Sequence, residues 1–172
     1  MAPEKIELKW EDILKMGDEV KAIDGPGSKN WNPVLSETKR VNDLFMRALR
    51  ENNGKVPGEL EAIPGLIITT IGAKTGEKRA VPLAYQVIDG RLVIVASMAG
   101  SVRNPPWFHN LVKNPEVLVE MNGESFKATA VITEGADRTA LYDKVAEVLP
   151  AFKEYQTRTS RTIPVVELKR IG

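Results

Sequence analysis

The chain has 172 residues, enough for one domain with a real core. Lys and Arg number 24 against 23 Asp and Glu, a balance that argues against a general nucleic-acid binder, whose surface is markedly basic. There is no cysteine and a single histidine, His109, so no disulfide, thiol nucleophile, thiolate metal site or His-cluster metal centre is expected.

No run of about 18 apolar residues is present to span a membrane. The first residues are charged and lack a signal-peptide core, so a cytoplasmic protein is expected. Ile6, Trp10, Ile13 and Leu14 have helix-like spacing and predict a short amphipathic helix within Ile6–Ile23. Asp24 to Ser28 reads as a loop. Asn32 and Pro33 predict a helix start, and Val34, Val41, Leu44, Phe45, Ala48 and Leu49 an apolar stripe, so Pro33–Glu51 reads as one helix. From Leu66 onward the pattern is mostly strand: Leu66–Ile71, Ala80–Ile88, Arg91–Ser97, Glu116–Met121, Glu124–Thr133 and Val165–Lys169. Asp89-Gly90 and Asn122-Gly123 are tight hairpin signals. Short helices are expected at Trp107–Lys113, with Asn104 as its cap, and at Asp137–Leu149, halted or kinked by Pro150. The fold expected is α+β, mainly β: a barrel of about six antiparallel strands with flanking helices. Residues 1–60 read as a helical extension packed on it and 61–172 as the barrel domain.

Between the first two strands lies a basic turn. Gly72 and Gly76 permit φ > 0 and close approach of another group. Their neighbours Ala73, Lys74, Thr75, Lys78 and Arg79 offer main-chain amides and cations, a seat for an anion. The same composition also describes a solvated hairpin loop, and the residues alone leave both readings open. A second candidate is Ala96, Ser97, Met98, Ala99 and Gly100, where small residues let backbone N–H groups reach a flat ring.

Several motifs, in order, resemble the deazaflavin-dependent nitroreductase family, a branch of the flavin-binding split β-barrel proteins. They are Leu66 to Gly76, Arg79 to Leu83 with Pro82, Val95 to Gly100, Pro105 to Leu111, Asn114 to Val117, Glu154 to Thr159 and Arg161 to Val166. The resemblance implies a split β-barrel that binds coenzyme F420, whose tail of phosphate and glutamates is polyanionic. It also implies hydride transfer from the reduced cofactor to a quinone, nitroaromatic or other conjugated acceptor. By position it assigns the tail to Gly72–Gly76, Lys78 and Arg79, with Pro82 nearby. The ring falls to Ala96–Gly100, and Trp107 and Asn110 lie on a helix close to the cofactor. For His109 a structural hydrogen-bonding role is expected. Nitro-reducing relatives carry three tyrosines where this chain has Leu149, Phe152 and Tyr155, so a more apolar acceptor pocket is implied, with Tyr155 as its catalytic hydroxyl. Many relatives have His where Asn104 stands. Other readings are a split-barrel protein for FMN or haem, and a non-catalytic carrier of deazaflavin or an apolar ligand. The expected partners are a small-molecule acceptor and no nucleic acid. A homodimer and peripheral contact with the inner face of a membrane are both compatible with the sequence.

Overall fold

The computed structural model describes residues 8–23 and 36–171. The expected loop at 24–28 and the helix start at Asn32-Pro33 lie outside them. In chain order the elements are α1 (Trp10–Ile23), α2 (Ser36–Glu51), β1 (Gly65–Ile71), β2 (Lys78–Ala84), β3 (Gln86–Ile88), β4 (Arg91–Val95), α3 (Pro106–Lys113), β5 (Glu116–Met121), β6 (Glu124–Ile132), α4 (Gly135–Val148), α5 (Ala151–Thr157) and β7 (Val165–Arg170). A 3₁₀ turn, Met98–Gly100, separates β4 from α3.

Among the described residues, seven strands form one antiparallel sheet in the order β2-β1-β5-β6-β7-β4-β3. Its two edge strands, β2 and β3, are consecutive in the chain with only Tyr85 between them. The sheet must therefore curl until its edges approach, which makes it a split β-barrel. The expected single strand Ala80–Ile88 is two strands because it changes partner. Tyr85 N–H donates to the Pro64 carbonyl at 3.1 Å and closes the β1–β2 ladder, while Gln86 already pairs with Val93 of β4. Pro82 is tolerated because β2 is an edge strand and needs no N–H on its open side.

Alternation along the strands sets the core. Leu66, Ile68, Ile94, Val117, Val119, Val166 and Leu168 point into the barrel, with Trp107 and Leu111 of α3 among them. Ile67 points the other way and joins Val41, Ala48 and Leu49 of α2. Val93 and Val165 likewise meet Leu141, Tyr142 and Val145 of α4 on the outside. Both hairpin expectations hold: Asp89-Gly90 and Asn122-Gly123 have φ of 51°, 78°, 52° and 79°, as two-residue turns between twisted strands require.

α5 is the element the sequence reading lacked. Pro150 ends α4 but occupies the cap of a new helix, where its missing N–H costs nothing. The chain turns tightly there: Phe152 N–H donates to Leu149 and Lys153 N–H to Pro150, at 3.0 and 3.1 Å. Among the described residues no helix is long and apolar enough to cross a membrane.

Candidate functional site

The basic turn links β1 to β2 and is held from below by α3. Asn110 accepts from the Ala73 N–H at 2.9 Å through Oδ1 and donates to Thr70 Oγ1 at 3.1 Å through Nδ2. Lys113 Nζ donates to the Ala73 carbonyl at 2.6 Å. Inside the turn, Gly72 N–H donates to Glu77 at 2.7 Å, Gly76 N–H to Gly72 at 2.9 Å, and Glu77 N–H to Thr75 Oγ1 at 3.2 Å. A Cβ at Gly72 would stand 2.6 Å from Thr75 Oγ1 and 3.2 Å from the Glu77 carbonyl, so any larger residue there must displace the Thr75 side chain.

This geometry refines the expectation of an amide-lined anion seat. Four of the turn's N–H groups (Gly72, Ala73, Gly76 and Glu77) already have acceptors within the fold. What faces outward is cationic side chain. Lys74 and Lys78 are exposed, and neither has an ion-pair partner among the described residues. Arg79 instead pairs with Glu77 at 2.9 Å, both side chains being more than half exposed. The sequence reading missed Glu77 and Lys113. The acidic residue was visible as a sign change inside a basic run, whereas Lys113 reaches the turn only through the fold.

Ala96 follows β4 fully buried, and Ser97 enters the 3₁₀ turn with φ −79° and ψ −41°. Met98 follows at φ 45°. The turn closes with Gly100 N–H on the Ser97 carbonyl and Ser101 N–H on that of Met98, both at 3.0 Å. Gly100 has φ +79°, and a Cβ there would sit 2.8 Å from the Tyr155 carbonyl. The segment therefore lies directly against α5. Arg161, absent from the candidate site residues, binds the segment from behind through several carbonyls.

Trp107 is 8 % exposed and walls the barrel core, edge-to-face with Phe108 at 6.5 Å. His109 is exposed. Its ring meets Phe108 at 6.0 Å but makes no hydrogen bond among the described residues, so the structural hydrogen-bonding role expected of it is absent. The helix faces its apolar positions inward, and position 109 falls on the outer side. Asn104 does not cap α3 either. Pro105 holds the cap position, and Asn104 Oδ1 accepts from Arg161 Nη1 at 2.9 Å.

Leu149 and Phe152 line a cleft with Ala84, Tyr85, Val93 and Val95, between α4–α5 and the β3–β4 edge. Its free volume is about 10 Å³, room for roughly one water. Tyr155 is outside that lining and packs edge-to-face on Phe152 at 5.4 Å. Burial pushes the Tyr155 hydroxyl above the usual tyrosine range, against the pull of the Arg158 guanidinium, which stands 5.7 Å from the ring centre. The hydroxyl is therefore neutral around pH 7, and it has no acceptor among the described residues. Tyr142, also missed, holds this corner together: its hydroxyl donates to the Phe152 carbonyl.

The four stretches are thus connected. The turn rests on Asn110 of α3, the loop before α3 binds Arg161 through Asn104, Arg161 binds Ala96 and Ser97, and Gly100 touches Tyr155. Against known proteins, the profile of the F420H(2)-dependent quinone reductase family matches residues 41–170. The chain belongs to that family. The F420H(2)-dependent quinone reductase Rv1261c of Mycobacterium tuberculosis is 38% identical over 135 residues, covering 76% of this chain and 89% of that one. A solved structure described as an F420-H2 dependent reductase is 37% identical, with a TM-score of 0.56 over 62% of this chain and 94% of the other. Another, described as a domain-swapped dimer, is 34% identical with a TM-score of 0.59, over 78% of this chain and all of the other. Members of the family are F420H2-dependent reductases, and coenzyme F420 is the cofactor of this one. The match carries the quinone-reductase description, where the sequence resemblance alone names nitroreductases.

Proposed function

We propose that this protein reduces quinones with hydride from F420H2, seating the cofactor's anionic tail on the β1–β2 turn and its ring along Ala96–Gly100. The observation that carries the first half is the pair of exposed lysines, Lys74 and Lys78, without ion-pair partners among the described residues. In a chain of net charge +1, attraction for a polyanion has to be local, and this turn supplies it. Asn110 beneath the turn acts by shaping it, while Pro82 is half-buried farther along β2, opposite Ile67. For the ring, the N–H groups of Ser97 and Met98 are free of acceptors among the described residues and fit a planar partner with carbonyl oxygens.

When bound, the reduced deazaflavin supplies the hydride. The chain's own contribution is orientation and polarity. Tyr155 is placed for the acceptor: its backbone touches the ring segment at Gly100, and its hydroxyl, kept neutral by burial, is a hydrogen-bond donor for a developing quinone oxygen. Leu149 and Phe152 contribute apolar surface where a nitro group would need donors. A quinone-sized guest requires the Leu149–Phe152 cleft to open by side-chain movement.

The test mixes purified protein with F420, reads fluorescence quenching, then follows F420H2 oxidation on adding menadione or a nitroimidazole. Quinone turnover at least tenfold faster than nitroimidazole turnover is expected, because one missing donor costs about 10²-fold in such a step. Equal turnover of the two acceptors would refute the apolar-pocket reading. Quenching without turnover would make the protein a carrier.

A further inference from the structure

We propose that Arg161 is a positioning residue, holding Ala96–Ser101 in the backbone shape that presents main-chain donors to the deazaflavin ring. The proposal rests on the F420 reading above. Arg161 lies in the loop between α5 and β7, far along the chain from the segment it binds. Its Nη2 donates to the Ser97 carbonyl at 2.7 Å and its Nε to the Ser101 carbonyl at 2.8 Å. Its Nη1 donates to the Ala96 carbonyl at 3.1 Å and to Asn104 Oδ1 at 2.9 Å. One planar fork thus holds carbonyls at both ends of the segment.

The consequence follows from peptide geometry. In a trans peptide the C=O and the next N–H point in opposite directions. Drawing the Ala96 and Ser97 carbonyls onto Arg161 turns the N–H groups of Ser97 and Met98 to the opposite side. Neither of these amides has an acceptor among the described residues, while Gly100 and Ser101 spend theirs closing the 3₁₀ turn. Two successive carbonyls facing the same way is not strand geometry. The segment achieves it with Ser97 helical and Met98 at φ 45°, a region a methionine disfavours. Something outside the segment must hold that shape, and the guanidinium does. Lysine is no substitute, because an ammonium is a point charge without the flat fork.

The test is a titration of wild type, Arg161→Lys, Asn104→Ala and Arg91→Lys with two ligands: F420, and the deazaflavin lacking phosphate and glutamates. Fluorescence and the absorbance band of the bound ring are read, with thermal melts alongside. Arg91 is the control, since it bonds Glu167 and Asp137 and is bonded to nothing in Ala96–Ser101. Arg161→Lys should weaken both ligands by the same factor, about tenfold, and alter the shift of the ring band. Asn104→Ala, which frees one of the fork's contacts, should weaken both by about threefold. Arg91→Lys should lower Tm and leave both affinities alone. A folded Arg161→Lys that binds both ligands like wild type overturns the positioning role and leaves the F420 reading standing. Should Arg161→Lys not fold, Asn104→Ala decides: unchanged affinities overturn the proposal. Wild type binding neither ligand removes the F420 reading and the positioning role together.

Discussion

Glu77 sets how strongly the turn attracts an anion. It is the one acid in the run, and it pairs with Arg79 at 2.9 Å while Lys74 and Lys78 have no ion-pair partner among the described residues. Exposed pairs of this kind are worth about 0–1 kcal/mol, so Arg79 is restrained rather than lost. Glu77→Gln should therefore tighten F420 binding by roughly twofold to fivefold. Lys74→Ala should weaken it by about 1–3 kcal/mol, the range for hydrogen bonds to charged groups. Both effects should shrink as salt rises, since screening acts over about 10 Å at 0.1 M. Neither change should touch binding of the tail-less deazaflavin; if Lys74→Ala weakens that form equally, the turn does not hold the tail. Tyr155 belongs to the other half of the proposed site. Tyr155→Phe should lower kcat by about tenfold to a hundredfold with cofactor affinity unchanged. A kcat equal to wild type would make Tyr155 a packing residue against Phe152.

At the scale of elements, α5 is what joins the barrel to the proposed acceptor side. It is short and buries none of its residues completely. Its place depends on contacts from outside, among them Gly100 against the Tyr155 backbone, the Tyr142 hydroxyl on the Phe152 carbonyl, and Gln156 Oε1 accepting from Arg138 Nη2 at 2.7 Å. Gly100→Ala attacks the first of these directly. Its Cβ would lie 2.8 Å from the Tyr155 carbonyl, and φ +79° strains any L side chain. The substitution should cost about 1–3 kcal/mol and displace α5, lowering kcat through Tyr155. Chemical denaturation and quinone turnover check both effects. Stability within about 0.5 kcal/mol of wild type, the ordinary range for a surface change, would show that α5 yields freely. Asn110 plays the matching part for α3, tying Ala73 to the buried Thr70.

The whole molecule carries its ionisable groups mostly on the surface, and its pH limits follow from a few of them. Burial raises the pKa of Tyr142 and of Tyr155. A raised folded value means the neutral form is favoured in the native state. That stability is fully present below the unfolded tyrosine value of about 10 and is lost as pH rises through the folded values. At the acid end, Asp137 is held low by its hydrogen bonds to Arg91, and Asp89 by Lys144. Their contribution is present above about pH 4 and is lost as pH falls through their depressed values. Tm should accordingly plateau at neutral pH and fall above about pH 10. Tyr142→Phe should flatten that alkaline fall, because the group that must ionise is gone. An alkaline limb identical to wild type would place its cause elsewhere.

Most of the strands, both hairpin turns and the F420-dependent reductase family in its split-barrel fold were legible in the residues alone, though not the quinone-reductase description. Alternation, Asp89-Gly90, Asn122-Gly123 and the ordered motifs from Leu66 to Val166 are local signals, and local backbone preference decides them. The sequence also marked the turn and the Ala96–Gly100 segment as places for a cofactor. The partners that hold those segments came from the fold. Ala80–Ile88 breaks at Tyr85 because its two halves pair with opposite edges of a curled sheet, and no property of Tyr85 itself announces that. Asn104 reads as a helix cap until Arg161 claims its oxygen. His109 falls on the exposed side of α3, and Lys113 meets Ala73. Apart from the facing of His109, which α3's own periodicity sets, each of these depends on groups far apart in the chain, brought together by burial of the barrel core. A hydrogen bond across that distance leaves no periodic trace in the chain, so only the folded backbone reveals it.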